Sequence, residues 1–149
     1  MIPTGVETRM SLHIVHRYKE GIEILALTGR LVFGPGHLRL QEELDQIVKA
    51  GKNCVVLNLN KVSEIDDEGF NTLIFASAKL RKAGGGLVLV NLKPSHIADL
   101  VASRPVLASE LFKEMFKEEQ DAIDSFFPGR RIQGYDILEY IRSAHQSGS

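Results

Sequence analysis

The chain has 149 residues, a formal net charge of −1, 44% hydrophobic residues and 25% charged residues, a composition typical of one soluble globular domain with a full core. The near-neutral charge gives no general attraction to nucleic acids or anionic membranes, so neither is expected as a partner. Because Cys54 is the single cysteine and no apolar run suits a membrane helix or a signal peptide, we expect a cytoplasmic protein without disulfides.

Short apolar runs in the first third of the chain predict strands, and one amphipathic stretch predicts a helix. Residues 1–10 predict a loose lead-in, and residues 12–18 and 22–27 predict the strands of a β-hairpin. Glycine and proline over residues 29–36 predict a loop. A helix ending near Gly51 is predicted by apolar residues at helical spacing: Leu40, Leu44, Ile47 and Val48.

The middle of the chain holds a cluster of carboxylates between two predicted elements. Residues 54–59 predict a buried strand, and a helix follows that stops at Gly84. Between them lies the acidic corner, which we define as Asp66, Asp67, Glu68 and Gly69. Carboxylates at a helix start are stabilised by unpaired N–H groups and the positive dipole end, by about 0.3–1 kcal/mol. The corner therefore predicts either a capped helix or a recognition or regulatory site.

The last third of the chain continues the alternation of strands and helices. Residues 87–91 predict another buried strand, and a third helix is predicted to open at Pro94 or Ser95 and to end at Pro105. An edge strand is predicted from Phe112, Met115 and Phe116. A fourth helix over residues 118–127 and a last helix over residues 136–144 complete the predicted elements.

This order of elements predicts an α/β fold with a small mixed, mostly parallel sheet, an N-terminal β-hairpin and about four helices, plus a C-terminal helical extension. The predicted organisation is a lead-in over residues 1–10, one domain over residues 11–127 and an extension over residues 128–149, with one short helix.

Several familiar chemistries lack their motifs. There is no Gly-x-Ser-x-Gly elbow, and the glycine spacing of a phosphate loop has Pro35 where lysine is required. On a strand, His13 and His16 point to opposite faces and cannot chelate one metal, and we expect the histidines to lie on the surface. No catalytic residue, metal site or cofactor is predicted.

Two aromatic residues have ambiguous positions. Phe75 lies well off the apolar face formed by Phe70, Leu73 and Ile74 on a helical wheel, and Phe33 lies in the glycine-rich loop. Each is either packed in the core or exposed as part of a protein-binding surface.

One long segment resembles the STAS domain of bacterial anti-sigma-factor antagonists. In that family a strand ending near LDLS leads to IDSSG, a helix, KAGG and another apolar strand. This sequence has LNLN over residues 57–60, IDDEG over residues 65–69 and KAGG over residues 82–85. A weaker match spans residues 11–127. The resemblance implies a mostly parallel sheet with an antiparallel N-terminal strand and helices on one side.

The resemblance also implies partner switching. In that family the unmodified antagonist binds an anti-sigma factor that is also a kinase. Phosphorylation of a serine at the start of the second helix ends this binding. A phosphatase then removes the phosphate and resets the switch. Here Asp66 and Gly69 match the family residues, but Asp67 stands at the serine and Glu68 replaces the next small hydroxyl residue. A carboxylate cannot form the phosphoester and only partly mimics it. Val32 stands where an acidic residue is common.

Three hypotheses follow. The first is a non-enzymatic regulator that is not phosphorylatable at the usual position, whose partner is an anti-sigma factor or a related kinase-like protein bound through Phe33, Asp67, Glu68 and Phe75. Ser63 is a conceivable substitute acceptor. The second is a ligand-sensing or scaffold subunit of a larger signalling assembly, and the third is an enzyme that uses the carboxylates. The sequence leaves a homodimer open.

Overall fold

The computed structural model describes residues 12–112 and 115–130 of the chain. The strands are β1 (His13–Lys19), β2 (Ile22–Leu31), β3 (Cys54–Ile65), β4 (Gly86–Val90) and β5 (Met115–Phe116). The helices are α1 (Pro35–Lys49), α2 (Asp67–Lys82), α3 (Pro94–Ser103), α4 (Pro105–Phe112) and α5 (Glu119–Asp124). The helix predicted over residues 136–144 lies outside the described residues.

The five strands form one sheet in the order β1-β2-β3-β4-β5. β1 pairs antiparallel with β2, and the remaining pairs are parallel. Because parallel neighbours need a crossover, α1 connects β2 to β3 and α2 connects β3 to β4. The predicted α/β class, the mostly parallel sheet and the N-terminal hairpin are confirmed.

The sheet carries a core on each of its faces. The larger core packs α1, α2, α3 and α4 against one face, with Leu25, Leu57 and Leu89 fully buried beneath them. The smaller core covers the other face around Ile24 and Ile123. The resemblance implied that all helices lie on one side of the sheet. This expectation is wrong, because α5 packs on the second face.

Two strands are longer than their apolar runs predict. β2 continues to Leu31 and β3 continues to Ile65, whereas the sequence predicts ends at residues 27 and 59. The extra segments pair with each other, with register shifts on either side of Thr28–Gly29. Glycine within a strand often accompanies such an irregularity. The sequence alone predicts that a loop starts at Gly29. β4 pairs with β3 only as far as Asn58, so the end of β3 projects beyond β4.

The region after β4 also differs from its prediction. Pro105 follows the end of α3 but is itself the first residue of α4, a helix that the sequence did not predict. Proline is compatible with the start of a helix, where its missing N–H has no intrahelical partner. Phe112 consequently belongs to α4 rather than to the edge strand. α5 is shorter than the predicted helix over residues 118–127.

The histidines are not all on the surface. His37 and His96 are buried, each with 8% exposure. His16 is partly exposed and lies between the carboxylates of Glu23 and Glu43. The surface prediction is wrong for His37 and His96 because the first turns of α1 and α3 pack against the sheet.

Candidate functional site

The acidic corner lies where β3 ends, at the edge of the sheet where β2 also ends. Leu31 closes β2 and Ile65 closes β3, and these two residues are register partners. The loop to α1 and the first turn of α2 therefore emerge side by side. This is the edge at which open α/β sheets present their functional loops.

Asp66 ties the two emerging segments together through both of its carboxylate oxygens. Its Oδ1 accepts a hydrogen bond from the Gly69 N–H at 2.8 Å, which caps α2. Its Oδ2 accepts a hydrogen bond from the Phe33 N–H at 2.9 Å in the loop before α1. The start of α2 is capped, as the run of carboxylates predicted, and the structure assigns the cap to Asp66. The bond to Phe33 adds a tether that the sequence could not show.

Gly69 permits the close approach on which this arrangement depends. A Cβ atom at Gly69 would lie 2.1 Å from the Leu31 carbonyl oxygen and 2.9 Å from the Ile65 Cγ2. Gly36 in α1 is in a similar position, since its Cβ would lie 2.4 Å from the Arg30 carbonyl oxygen. Both helices thus begin in contact with the end of β2 because each carries glycine at the contact.

Asp67 and Glu68 occupy the first turn of α2 and are exposed. Within the described residues neither side chain makes a hydrogen bond or an ion pair, in contrast to nearby Glu64, which pairs with Arg30 at 2.8 Å. The positive end of α2 stabilises their charge. Both carboxylates therefore face solvent without a paired cation among the described residues.

Phe33 and Phe75 are both exposed, so core packing is the wrong alternative for each. Phe33 is 72% exposed and Phe75 is 69% exposed. The Phe33 ring stacks on the His37 ring with centroids 5.4 Å apart. The Gly34 N–H donates to His37 Nδ1 at 2.8 Å, which fixes this ring against the loop. Their role in partner binding stays a prediction.

A groove between α1 and α2 lies beside Phe75. Its lining residues are Gln41, Leu44, Asp45, Thr72, Phe75, Ala76 and Lys79. Leu38, which is 51% exposed, lies one turn before Gln41 on α1. The sequence prediction missed Leu38 and the groove, although the helical-wheel test that singled out Phe75 also places Leu38 off the buried face of α1.

The structure thus brings Phe33 to the acidic corner but places Phe75 further along α2. Seven residues separate Phe75 from Glu68, which corresponds to about 10 Å along the helix axis. The predicted site residues lie on one side of the domain, although they are not one compact cluster.

In the part of the chain that the structure describes, no three His, Cys, Asp or Glu side chains lie together as metal ligands would. No described helix has the length and apolar character needed to cross a bilayer.

His96 lies in the first turn of α3 near the projecting end of β3. Its Nδ1 is buried without a hydrogen-bond partner among the described residues. Burial lowers the pKa of His96 below its ordinary value of 6.5, with Lys93 contributing, while a hydrogen bond with the Ser63 backbone and the charges of Asp99 and Glu64 partly oppose the shift. A neutral imidazole is therefore favoured in the folded state.

Because the pKa of His96 is lowered on folding, its neutral form contributes stability that is present above pH 6.5 and is lost as the pH falls below that value. We expect His96→Gln to flatten the decline in unfolding free energy between pH 7 and pH 5, measured by urea denaturation. Val106→Ala provides the control, since it changes an exposed residue without a titratable group and should leave the slope unchanged. Equal slopes for wild type and His96→Gln would contradict this expectation.

Both the sequence and the fold of this chain are similar to those of known proteins. The STAS domain family model matches residues 13–122. Protein TM1081 of Thermotoga maritima has a similar structure, with a TM-score of 0.64 and 16% identity over 76% of this chain and 93% of that chain. The phosphorylated form of the Bacillus cell fate determinant SpoIIAA gives a TM-score of 0.60 with 17% identity over 76% of this chain and 98% of its own.

A sulfate transporter family protein of Wolinella succinogenes is also similar, with a TM-score of 0.58 and 21% identity over 87% of this chain and 92% of that chain. A comparison with curated proteins gives no match. The structural similarities concern the fold, whereas the family model matches the sequence over well more than half of its length. The chain therefore belongs to the STAS domain family.

Proposed function

We propose that this chain is a non-enzymatic, cytoplasmic regulator that binds a partner protein in the manner of an anti-sigma-factor antagonist. The observation that carries the proposal is the pair of exposed aromatic residues, Phe33 and Phe75, on the side of the domain that bears the acidic corner. Large exposed aromatic side chains are typical anchors of protein interfaces. The fold, shared with the antagonist SpoIIAA, supports this class of regulator.

The surroundings of the corner favour binding over catalysis. Asp66 uses both oxygens to hold backbone N–H groups, and Asp67 and Glu68 face solvent. A general acid or base acts within hydrogen-bond reach of a reacting group that a shaped, water-excluding site holds in place. Asp67 and Glu68 are instead exposed to water.

The acidic residue at position 67 makes the domain independent of the usual phosphorylation. Asp67 is the first residue of α2, where the family places its phosphoacceptor serine. A phosphoserine carries about −1.5 to −2 charges and three acceptor oxygens, whereas a carboxylate carries one charge and two oxygens. The acidic group at this position therefore needs no kinase, and it carries less charge than the modified serine.

A second candidate is a ligand-sensing or scaffold subunit of a larger signalling assembly. The similar fold of the Wolinella succinogenes sulfate transporter family protein supports this candidate, because there the fold occurs in a protein that is not described as an antagonist. Truncation after Arg130 separates the candidates while keeping the ion pair of Arg130 with Asp124. An assembly that is lost on truncation favours the scaffold, and unchanged partner binding favours the regulator.

The test of the first candidate is affinity capture from the native cell. We expect wild type to retain a protein partner and Phe75→Ala to retain at least about tenfold less, because one buried aromatic anchor contributes about 2 kcal/mol or more. With a captured kinase and ATP, wild type should take up no phosphate at the corner, whereas Asp67→Ser should become phosphorylated.

The control for capture is Val106→Ala, because Val106 is 77% exposed on α4, away from the groove. Equal capture by wild type and Phe75→Ala would overturn the proposed surface. Stoichiometric phosphate at the corner of the wild-type protein would overturn its independence from phosphorylation.

A further inference from the structure

We propose that the groove between α1 and α2 receives an amphipathic helix of the partner protein, with an arginine or lysine of that helix at Asp67 and Glu68. This inference rests on the proposed function and adds to it the shape and the charge of the partner. It follows from the residues that line the groove and from the way charge is distributed along it.

The two walls of the groove are parallel helical stripes. On α2 the stripe runs at helical spacing through Glu68, Thr72, Phe75 and Lys79. On α1 it runs through Leu38, Gln41 and Asp45. Thr72 to Lys79 and Gln41 to Asp45 line the groove itself, and Glu68 and Leu38 continue the stripes by one turn towards the corner. Since α1 and α2 both follow parallel strands, the stripes point the same way and start at the same edge of the sheet.

The interior of the groove is suited to apolar side chains. Leu44, Thr72 and Ala76 contribute to its lining and are themselves largely buried, and the Thr72 hydroxyl is occupied by its hydrogen bond to the Glu68 carbonyl oxygen at 2.9 Å. Phe75 stands beside them with 69% of its surface exposed. An apolar partner side chain placed here would contact the Phe75 ring and lose no hydrogen bond.

The groove and the turn of α2 before it together have the length of a short helix. The groove lining on α2 runs from Thr72 to Lys79. Counted from Glu68, one turn before Thr72, the α2 stripe covers eleven residues, or about 16 Å at the helical rise of 1.5 Å per residue. A partner helix of about three turns spans the same distance, and its apolar residues at i, i+3, i+4 and i+7 would face the groove.

The two ends of the groove differ in charge. At one end Lys79 Nζ lies 2.6 Å from Asp45 Oδ1, so this ion pair joins the two walls and its charges compensate each other. Beyond the other end, in the turn of α2 before Thr72, Asp67 and Glu68 make no ion pair within the described residues. A partner is therefore attracted through a cation at the corner end, because opposite charge steers association and fixes the orientation of docking.

The probe for this proposal is a phage-displayed library of random 16-residue peptides, selected on the immobilised full-length protein and counter-selected on Phe75→Ala. We expect the enriched peptides to carry apolar residues at helical spacing and arginine or lysine towards one end. Their binding to the double variant Asp67→Asn, Glu68→Gln should be about tenfold weaker, and raised salt should weaken binding to wild type.

The matched control for the loss of two charges is the double variant Asp99→Asn, Glu118→Gln, which removes two exposed carboxylates that do not line the groove. Its affinity should equal that of wild type. Enriched peptides without basic residues, or with equal affinity for both double variants, would overturn this inference and leave the proposed surface intact. The inference also fails if sedimentation experiments show that the groove joins two copies of this chain. If no peptide distinguishes wild type from Phe75→Ala, the inference fails and the proposed function loses support as well.

Discussion

Gly69→Ala is expected to lower the free energy of unfolding by about 2 kcal/mol, because forcing an extra carbon into a close-packed contact costs up to about 3 kcal/mol. The added Cβ would lie 2.1 Å from the Leu31 carbonyl oxygen, a backbone atom of a central strand that cannot rotate away. The start of α2 must therefore move. The intrinsic preference of helices for alanine, about 1 kcal/mol over glycine, offsets only part of this cost.

Urea denaturation of the purified protein measures this loss of stability. Glu68→Ala is the matched control, since it changes the adjacent exposed residue of the same helical turn and should alter stability by less than about 0.5 kcal/mol. Because Phe75 is carried by α2, Gly69→Ala should also weaken partner capture. An unchanged unfolding free energy would show that α2 does not need to approach β2 this closely.

Asp66→Ala is expected to destabilise the protein by about 2 kcal/mol. Loss of a helix N-cap costs about 1 kcal/mol, and loss of the charged acceptor for the Phe33 N–H adds about the same amount. The structural consequence is that the loop carrying Phe33 is no longer tied to the start of α2. Partner capture should therefore fall by more than the loss of folded protein explains.

Amide hydrogen exchange separates the two effects of this substitution. In Asp66→Ala the Phe33 and Gly69 amides should exchange faster, while the amides of the β4 strand keep their relative protection. Asp67→Ala provides the control, because Asp67 is exposed and makes no hydrogen bond within the described residues. Unaltered exchange at Phe33 would show that the tether does not hold the loop.

The sequence predicted most clearly what depends on neighbours along the chain. The helix stops at Gly51 and Gly84 are confirmed, with φ angles of 83° and 94° that suit glycine. Gly85 N–H, for example, donates to the Leu80 carbonyl oxygen at 2.9 Å and closes the end of α2. The capped start of α2 was predicted for the same reason, since a cap satisfies N–H groups only three residues away, and the structure assigns it to Asp66.

Predictions were wrong where the deciding contact came from elsewhere in the chain. The extension of β3 to Ile65 depends on pairing with Leu31, which lies 34 residues earlier. The polar residues of that extension gave no continuous apolar run to detect. α4 was missed because Pro105 carries the same local signal at the end of one helix and at the start of the next.

The sequence by itself determined the α/β order of elements and the position of the acidic corner, because each is a property of local pattern. Only the tertiary structure decided that Phe33 and Phe75 are exposed and that Asp66 holds the Phe33 loop. It also decided that Asp45 and Lys79 close one end of a groove. The physical reason is that exposure, tethers and grooves arise between α1, α2 and the ends of β2 and β3. They depend on the spatial packing of segments that are separate in the chain.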